Sequence, residues 1–427
     1  MNISEAKQHY KATKYACYAT NVTMAAVGCI SALLFVTFRN TYNISYTLLG
    51  LLVVINFSTQ LLVDLIFSFF SKHFNIKLTV RITPLISVVG MLIYAIMPAV
   101  FPDSAYLWLA LGTVIFSISS GLSEVLISPV IASIPSENPE REMSKLHSIY
   151  AWGVVGVVIF GTVFLEIFES KSWSILVLIL ALLPAAALAL FMRAPMPEMD
   201  SQDGDAKSKS PLKFSPALLA CVVCIFLGGA AECTMTQWVS SFIESALGVP
   251  KMWGDIFGMA VFAALLGLGR SLYAKYGRNI GKVLTLGMCG ATVCYLIASL
   301  SMSPILSLIG CVATGFCVSM LWPGSLILME ERVPAVGVGA YALMAAGGDL
   351  GASVAPQLVG IVTDVVKESA LAGSLSASLG ISTEQIGMRA GILLSALFPL
   401  AGVALLLAVR RAWKKHDKNG ITDIKAN

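Results

Sequence analysis

Apolar runs long enough to cross a membrane recur along nearly the whole chain. A hydrocarbon core of about 30 Å requires roughly 20 helical residues. Continuous apolar runs favour helices over a β-barrel, because a helix satisfies its own backbone hydrogen bonds in lipid, whereas barrel strands alternate in short segments. We therefore predict an all-α integral membrane protein with twelve transmembrane helices, at residues 15–38, 46–70, 78–101, 106–134, 145–168, 173–193, 216–247, 252–276, 280–303, 304–334, 337–366 and 388–411.

Composition excludes several other classes of protein. Of the 427 residues, 57% are hydrophobic and 12% are charged, which leaves no room for a large soluble domain. The net charge of +4 is distributed in a way that indicates membrane orientation, so we expect no nucleic-acid partner. The nine cysteines lie almost entirely within apolar runs, where packing is their usual role, and they predict neither a disulfide framework nor a metal site.

Basic residues indicate how the chain is oriented. If the odd-numbered connections lie outside, all 28 Lys and Arg residues are cytoplasmic except Arg39, Lys171, Lys251, Lys367 and Arg389. Because basic residues collect in cytoplasmic loops, we expect both termini in the cytoplasm. The expected location is a bacterial-type plasma membrane.

A polar segment divides the predicted helices into two halves. Residues 194–215 are rich in Pro, Ser, Asp and Lys and follow the sixth helix, as is typical of a linker. We predict a six-helix bundle at 1–193, a cytoplasmic linker at 194–215 and a second six-helix bundle at 216–427. An offset of 194 residues also relates the halves, as in two parallel copies of one unit. It pairs Gly121 with Gly315, Pro129 with Pro323, Glu137 with Glu331 and Gly153 with Gly347.

This arrangement resembles the major facilitator superfamily over the whole chain. The loop Ala274–Arg278 is similar to the superfamily's short basic loop, in which glycine makes the tight turn and basic residues anchor helix ends. Its counterpart, Ser71–Lys77, keeps the basic residues and has Ser71 where the family usually has Asp. The two halves of one chain can form a complete transport path, so we expect a monomer.

Residues of the fourth and fifth helices are similar to fucose permease and related sugar–proton symporters. Glu124 and Pro129 keep the family's Glu-to-Pro spacing, and His147, Tyr150 and Gly153 fall on the helix-five pattern Gln-x-x-Asn-Ser-x-Gly. His147 replaces the family's Gln, and Tyr150 replaces its Asn. The resemblance implies that Glu124 carries the coupling proton and that His147 and Tyr150 face the substrate.

Glu124 is also notable for lying within an apolar helix. An ionised carboxylate at the bilayer centre costs about 3 kcal/mol or more, so it faces a cavity, pairs with a cation or stays protonated. Burial favours the protonated form, which suits a group that binds and releases a proton during transport. A permanent hydrogen bond to a neighbouring helix is the alternative. Asp349, in the glycine-rich segment Gly347–Gly351, is either a second proton-coupling group or part of close helix packing.

Polar and aromatic side chains on several helices suit a sugar. Planar hydrogen-bonding groups fix hydroxyls, and an aromatic ring covers the apolar face of a sugar. Packing is the alternative for each Trp, and helix–helix hydrogen bonding is the alternative for the polar face of the second helix. The candidate substrate-binding residues are Asn56, Gln60, Glu124, His147, Tyr150, Trp152, Glu232, Gln237, Trp238 and Trp322.

Three charged residues lie toward the cytoplasmic ends of their helices. Asp64 continues the polar face of Asn56 and Gln60 at four-residue spacing, and Arg81 and Arg270 fall at the same level. We expect Asp64, Arg81 and Arg270 to form a charge cluster that latches a cytoplasmic gate.

Together these features predict a secondary active transporter that moves a small polar solute, a sugar, by alternating access with proton coupling. A proton-driven exporter of amphipathic compounds, favoured by the many Met and Phe residues, is the alternative, and a sensor that binds solute without flux is another. The chain has no GxxxxGK[ST] phosphate loop. The scattered intramembrane residues do not supply a convergent nucleophile and base. We therefore expect no enzyme, no cofactor and no metal.

Overall fold

The computed structural model describes residue 5 and residues 8–70, 74–136, 139–197, 215–333 and 338–424, and these residues are predominantly helical. A short helix, Ala370–Leu379, precedes the last membrane helix. The principal helices are α1 (Lys11–Tyr42), α2 (Tyr46–Phe70), α3 (Ile76–Val100), α4 (Ala105–Ala132), α5 (Pro139–Phe168), α6 (Trp173–Leu180 and Leu182–Arg193), α7 (Pro216–Leu247), α8 (Lys251–Trp253, a π-helical segment Gly254–Ala260, and Val261–Tyr276), α9 (Ile280–Leu300), α10 (Pro304–Val318 and Leu321–Arg332), α11 (Val338–Lys367) and α12 (Thr383–Ser395 and Leu397–Ile424).

The predicted twelve-helix fold is confirmed. Eleven candidate spans among the described residues are long and apolar enough to cross a membrane, and α5 supplies the twelfth with its apolar stretch Trp152–Phe168. Helix α12 begins earlier than predicted because Ser382 and Gln385 form a reciprocal capping box at its start. The proposed linker, residues 194–215, lies mostly outside the described residues, as does Glu137.

Prolines explain why three of the helices are interrupted. Proline lacks an N–H and its ring clashes with the carbonyl four residues earlier. Pro184, Pro323 and Pro399 lie four residues after Leu180, Ser319 and Ser395, which are at the breaks in α6, α10 and α12. The break in α10 leaves the Ser319 carbonyl free to accept a bond from outside its own helix.

Close glycine contacts show that the two halves pack alike. A Cβ on Gly121 of α4 would lie 3.0 Å from Val63 of α2, and a Cβ on Gly315 of α10 would lie 2.5 Å from the Phe262 carbonyl of α8. The contact between α2 and α4 in the first bundle is therefore equivalent to the contact between α8 and α10 in the second bundle. Gly153 of α5 packs on α1, and Gly347 of α11 packs on α7, in the same relation. The sequence offset of 194 thus corresponds to equivalent packing in two six-helix bundles.

The two ends of the molecule differ. We call the end where α6 finishes and α7 begins the linker end, and the opposite end the closed end. Hydrogen bonds join the bundles at mid-height and toward the closed end. Helices α2 and α11 pack tightly there, since a Cβ on Gly360 would lie 2.3 Å from the Tyr46 carbonyl.

Candidate functional site

Three carboxylates from both bundles face one space in the middle of the molecule. The Glu124 side chain of α4 is accessible, yet protein atoms surround it, as expected for a group that lines a deep cavity. It lies within electrostatic reach of Asp64 on α2 and of Asp349 on α11. Because Asp349 belongs to the other bundle, Glu124 faces the space between the bundles and not the lipid.

These carboxylates have few partners. Asp64 Oδ1 is buried and accepts no hydrogen bond from the described residues. Neither a hydrogen bond nor an ion pair to Glu124 occurs within that part of the chain. Unneutralised carboxylates in a membrane interior are costly unless they take up protons or cations. The arrangement is therefore suited to binding a proton or a positively charged group.

Tyr150 of α5 borders the same space. A Cβ on Gly28 of α1 would lie 3.4 Å from the Tyr150 hydroxyl, so the tyrosine lies over the glycine and points toward the cavity. Tyr150 is also within electrostatic reach of Glu124. The backbone of His147 belongs to α5, one turn earlier, but its side chain lies outside the described residues.

Glu232 and Arg270 form the ion pair of the second bundle. Arg270 Nη2 of α8 lies 3.0 Å from Glu232 Oε1 of α7. Arg270 Nε also donates to the Ser319 carbonyl at 3.0 Å, the carbonyl that Pro323 leaves free. The remaining Glu232 oxygen, Oε2, is buried without a partner among the described residues. Arg270 thus presents a fixed, partly exposed cation to the cavity.

The predicted gate cluster of Asp64, Arg81 and Arg270 is not assembled in this structure. No hydrogen bond or ion pair joins Asp64 to either arginine within the described residues. Arg81 donates to the Ala194 carbonyl at 3.4 Å, so it ties α3 to the chain after α6. The freed Ser319 carbonyl and Glu232 hold Arg270 inside its own bundle. The three residues do not form one latch in this state.

Trp322 stands beside the cavity at the break in α10. Its ring packs where only glycine fits, because a Cβ on Gly348 would lie 2.6 Å from Trp322 Cη2 and a Cβ on Gly229 would lie 3.0 Å from Cζ3. Gly348 immediately precedes Asp349, so the indole packs against α11 next to Asp349. Trp322 remains a candidate aromatic wall.

Two other predicted aromatic walls are in the wrong place. Trp152 is 73% exposed and lines an apolar groove between α1, α5 and α6 on the outside of the first bundle. Trp152 and Tyr150 are two residues apart, which puts them on roughly opposite faces of α5. Trp238 is fully buried, packs on Phe35, and donates to the Pro356 carbonyl at 2.9 Å. Both residues serve packing or the lipid boundary and not the cavity.

The predicted amides mainly join helices. Gln237 is 5% exposed, and its Nε2 donates to the Gly28 carbonyl at 3.4 Å, so it ties α7 to α1. Asn56 Oδ1 accepts from Ser117 Oγ at 2.6 Å, which joins α2 to α4. Gln60 makes only a long 3.5 Å contact to the Asn56 carbonyl. Asn56 thus makes a helix–helix hydrogen bond, which was the alternative to substrate binding for the polar face of α2.

A buried charge cluster at the closed end was not predicted. Asp255 is fully buried in the π-helical segment of α8, where Lys251 Nζ lies 3.0 Å from Oδ2. Thr162 of α5 donates to Asp255 at 3.1 Å, and Ser240 of α7 donates to it as well. Lys251 also donates to the Leu33 carbonyl of α1 at 2.6 Å. The i, i+4 spacing of Lys251 and Asp255 was the one sequence signal for this cluster.

A second set of contacts closes the same end. Arg39 of α1 binds Glu384 of α12 through two hydrogen bonds, of 3.2 and 2.8 Å, and the Tyr46 hydroxyl donates to Glu384 at 2.6 Å. The Thr47 amide donates to Asp364 of α11 at 2.6 Å. The distribution of basic residues predicts Arg39 outside the membrane. It does not indicate that Glu384 is the partner of Arg39, because the two residues are far apart in the sequence.

Two six-helix bundles that enclose a polar intramembrane space define a solute transporter. The Major Facilitator Superfamily profile matches residues 16–356, and the chain belongs to that superfamily. No curated protein sequence matches the chain significantly. The described residues contain no group of three or more His, Cys, Asp or Glu side chains able to hold a metal ion.

Solved structures share this fold at low sequence identity. A bacterial homologue of the human lysosomal transporter Spinster, in an inward-facing and occupied conformation, has a TM-score of 0.72 at 14% identity, covering 94% of this chain and 97% of that one. A D-xylose–proton symporter has a TM-score of 0.70 at 14% identity, covering 92% and 97%. The nucleoside transporter NupG has a TM-score of 0.68 at 13% identity, covering 95% and 99%. At such identities the similarity concerns the fold alone.

Proposed function

We propose that this transporter moves a small polar organic solute, a sugar, together with protons by alternating access. The observation that carries the proposal is Glu124, an accessible carboxylate between the bundles that has no basic partner among the described residues. Asp349 and Asp64 lie within its electrostatic reach. When all three are ionised they repel one another, so protonation of Glu124 relieves a repulsion that spans both bundles.

Cavity side chains support a polar solute. Tyr150 offers a hydroxyl, the Glu232–Arg270 pair offers a partly exposed guanidinium, and Trp322 offers an aromatic face. Such a combination of a few polar groups and an aromatic wall suits a sugar ring. The D-xylose–proton symporter, whose fold is similar, carries a substrate of this class. The proposed binding residues are accordingly Glu124, Tyr150, Glu232 and Trp322, with His147 retained from the sequence.

The asymmetry of the ends supports alternating access. Basic loops favour a cytoplasmic linker end, and the hydrogen bonds between the bundles lie toward the opposite end. In this proposal the protein is inward-facing, and the Arg39–Glu384 and Lys251–Asp255 contacts close the outer side. Opening outward requires that these contacts break.

The test is uptake into proteoliposomes of the purified protein, with an inward proton gradient and a panel of labelled monosaccharides. We expect one or more sugars to accumulate above their external concentration and accumulation to disappear when a protonophore collapses the gradient. A sodium gradient in place of the proton gradient is the control for the coupling ion. If no sugar enters and an amphipathic dye is instead moved against its gradient, the exporter alternative replaces this proposal.

A further inference from the structure

An apolar groove of about 520 Å³ runs along the outside of the first bundle, between α1, α5 and α6. Its lining residues include Val22 of α1, Ile149, Trp152, Gly156 and Phe160 of α5, and Leu183 of α6. Trp152, which lines the groove, projects from the opposite side of α5 to Tyr150, and Tyr150 does not line the groove. Its volume falls within the range of about 300–1,000 Å³ typical of small-molecule sites.

Glycine makes the groove. Gly153 is buried against Val22 and Ala25, so α1 and α5 approach closely and form its floor. A Cβ on Gly156 would meet no atom within 4 Å, so the missing side chain at this position is open space within the groove. Trp152, 73% exposed, and Phe160, 43% exposed, form part of its wall.

The length of the groove matches one leaflet of a bilayer. Ile149 and Phe160 are eleven residues apart, which is about 16 Å along a helix, and half of a hydrocarbon core is about 15 Å. Lys145 is the last Lys or Arg before the apolar stretch of α5, which places Ile149 near the boundary with the linker-end surface. The groove therefore occupies the leaflet on the linker side.

A positive charge lies at the linker end of the groove. Lys145 is one helical turn before Ile149, and Tyr18 is one turn before Val22, so both continue the two walls of the groove. Lys145 Nζ lies 5.4 Å from the centre of the Tyr18 ring. The nearby carboxylate of Glu142 pairs with Lys14 at 3.2 Å and lies within electrostatic reach of Lys145, so two lysines and one carboxylate leave a net positive charge there. Lys145 thus remains available to an anion at headgroup level.

From these observations we infer that the groove between α1, α5 and α6 binds an anionic phospholipid, with one acyl chain in the groove and the phosphate on Lys145. An acyl chain is apolar and about as long as one leaflet is deep, so it matches the groove. The negatively charged headgroup complements Lys145, which lies beside the Tyr18 ring at the membrane surface. This inference does not depend on which solute the transporter carries.

The test uses native mass spectrometry of the purified full-length protein, titrated with phosphatidylglycerol or with phosphatidylcholine. We expect the first phosphatidylglycerol to bind at least fivefold more tightly than phosphatidylcholine. Gly156→Leu fills the groove and should weaken the first binding of both lipids at least fivefold. Lys145→Gln leaves the groove intact and should abolish the preference for phosphatidylglycerol.

The matched control is Gly373→Leu, because a Cβ on Gly373 in the short helix also meets open space. It should bind both lipids as the wild type does. Equal phosphatidylglycerol binding by the wild type, Gly156→Leu and Lys145→Gln would overturn the inference. So would a wild-type dimer that Gly156→Leu converts to monomer without a change in lipid binding, since the groove would then hold a second copy. If Gly156→Leu does not fold, the loss of lipid preference in Lys145→Gln decides alone.

Discussion

The hydroxyl of Thr162 in α5 donates a 3.1 Å hydrogen bond to the carboxylate of Asp255 in α8, which joins the two bundles through a fully buried charge. Lys251 pairs with Asp255 at 3.0 Å and binds the backbone of α1 at the same time. The pair therefore contacts three helices besides its own. A transport cycle by alternating access has to open this contact, so its strength influences how the two states are populated.

Replacing Asp255 by Asn should loosen the closed end. The substitution removes the carboxylate that pairs directly with Lys251 and leaves the more distant Glu244 within its electrostatic reach; breaking a buried pair in this way costs about 3 kcal/mol. Hydrogen exchange should become faster at residues 158–168 and 251–262, which flank the contact. Asp103→Asn, an exposed carboxylate at the same end, is the control and should leave exchange unchanged. Unaltered protection in Asp255→Asn would show that the pair does not hold the bundles together.

Replacing Glu384 by Gln should have a smaller effect. The Arg39 and Glu384 side chains are 21% and 37% exposed, and exposed ion pairs contribute about 1 kcal/mol or less. The Tyr46 hydroxyl can also still donate to the Gln oxygen. We expect the thermal midpoint of the detergent-solubilised protein to fall less for Glu384→Gln than for Asp255→Asn. A larger fall in the midpoint for Glu384→Gln than for Asp255→Asn would contradict the claim that the buried pair stabilises the protein more than the partly exposed pair.

Gly348→Ala should destabilise the protein through Trp322. The new Cβ would lie 2.6 and 2.7 Å from two atoms of the indole benzo ring, Cη2 and Cζ2. Overpacking of this kind costs about 1–3 kcal/mol. Phenylalanine lacks those atoms, so Gly348→Ala combined with Trp322→Phe should recover most of the lost thermal midpoint.

Gly373→Ala, at an open position, is the control for the glycine substitution and should leave the midpoint unchanged. If Trp322→Phe and Gly348→Ala lower the midpoint additively, the two residues do not interact and the proposed wall is misplaced.

The positions of the helices could be predicted from the sequence, because the length of an apolar run is a local property. Which neighbour a side chain faces could not be predicted, because that depends on how the helices pack. Trp152 and Trp238 satisfy the chemical requirement for a sugar wall, but neighbouring helices decide what each one faces. Trp152 lies against α6, and Trp238 lies in the contact between bundles.

Charge pairs show the same difference. The sequence indicates Pro323 only as a repeat position. In the structure Pro323 leaves the Ser319 carbonyl free, and Arg270 donates to that carbonyl and to Glu232. The i, i+4 spacing indicates the Lys251–Asp255 pair, but no spacing in the sequence indicates the helices that this pair contacts or the helix that supplies the partner of Glu384. Glu124 was singled out because a carboxylate in an apolar helix is costly wherever it points.

The most direct test of the account is the substitution Glu124→Gln in proteoliposomes, measured with a sugar that the wild type accumulates. Glutamine nearly preserves the shape of the side chain but cannot exchange a proton. We predict that proton-driven accumulation is abolished while counterflow exchange of the same sugar continues. Glu166→Gln, an exposed carboxylate on α5, should accumulate sugar normally. Full accumulation by Glu124→Gln would contradict proton coupling at this residue.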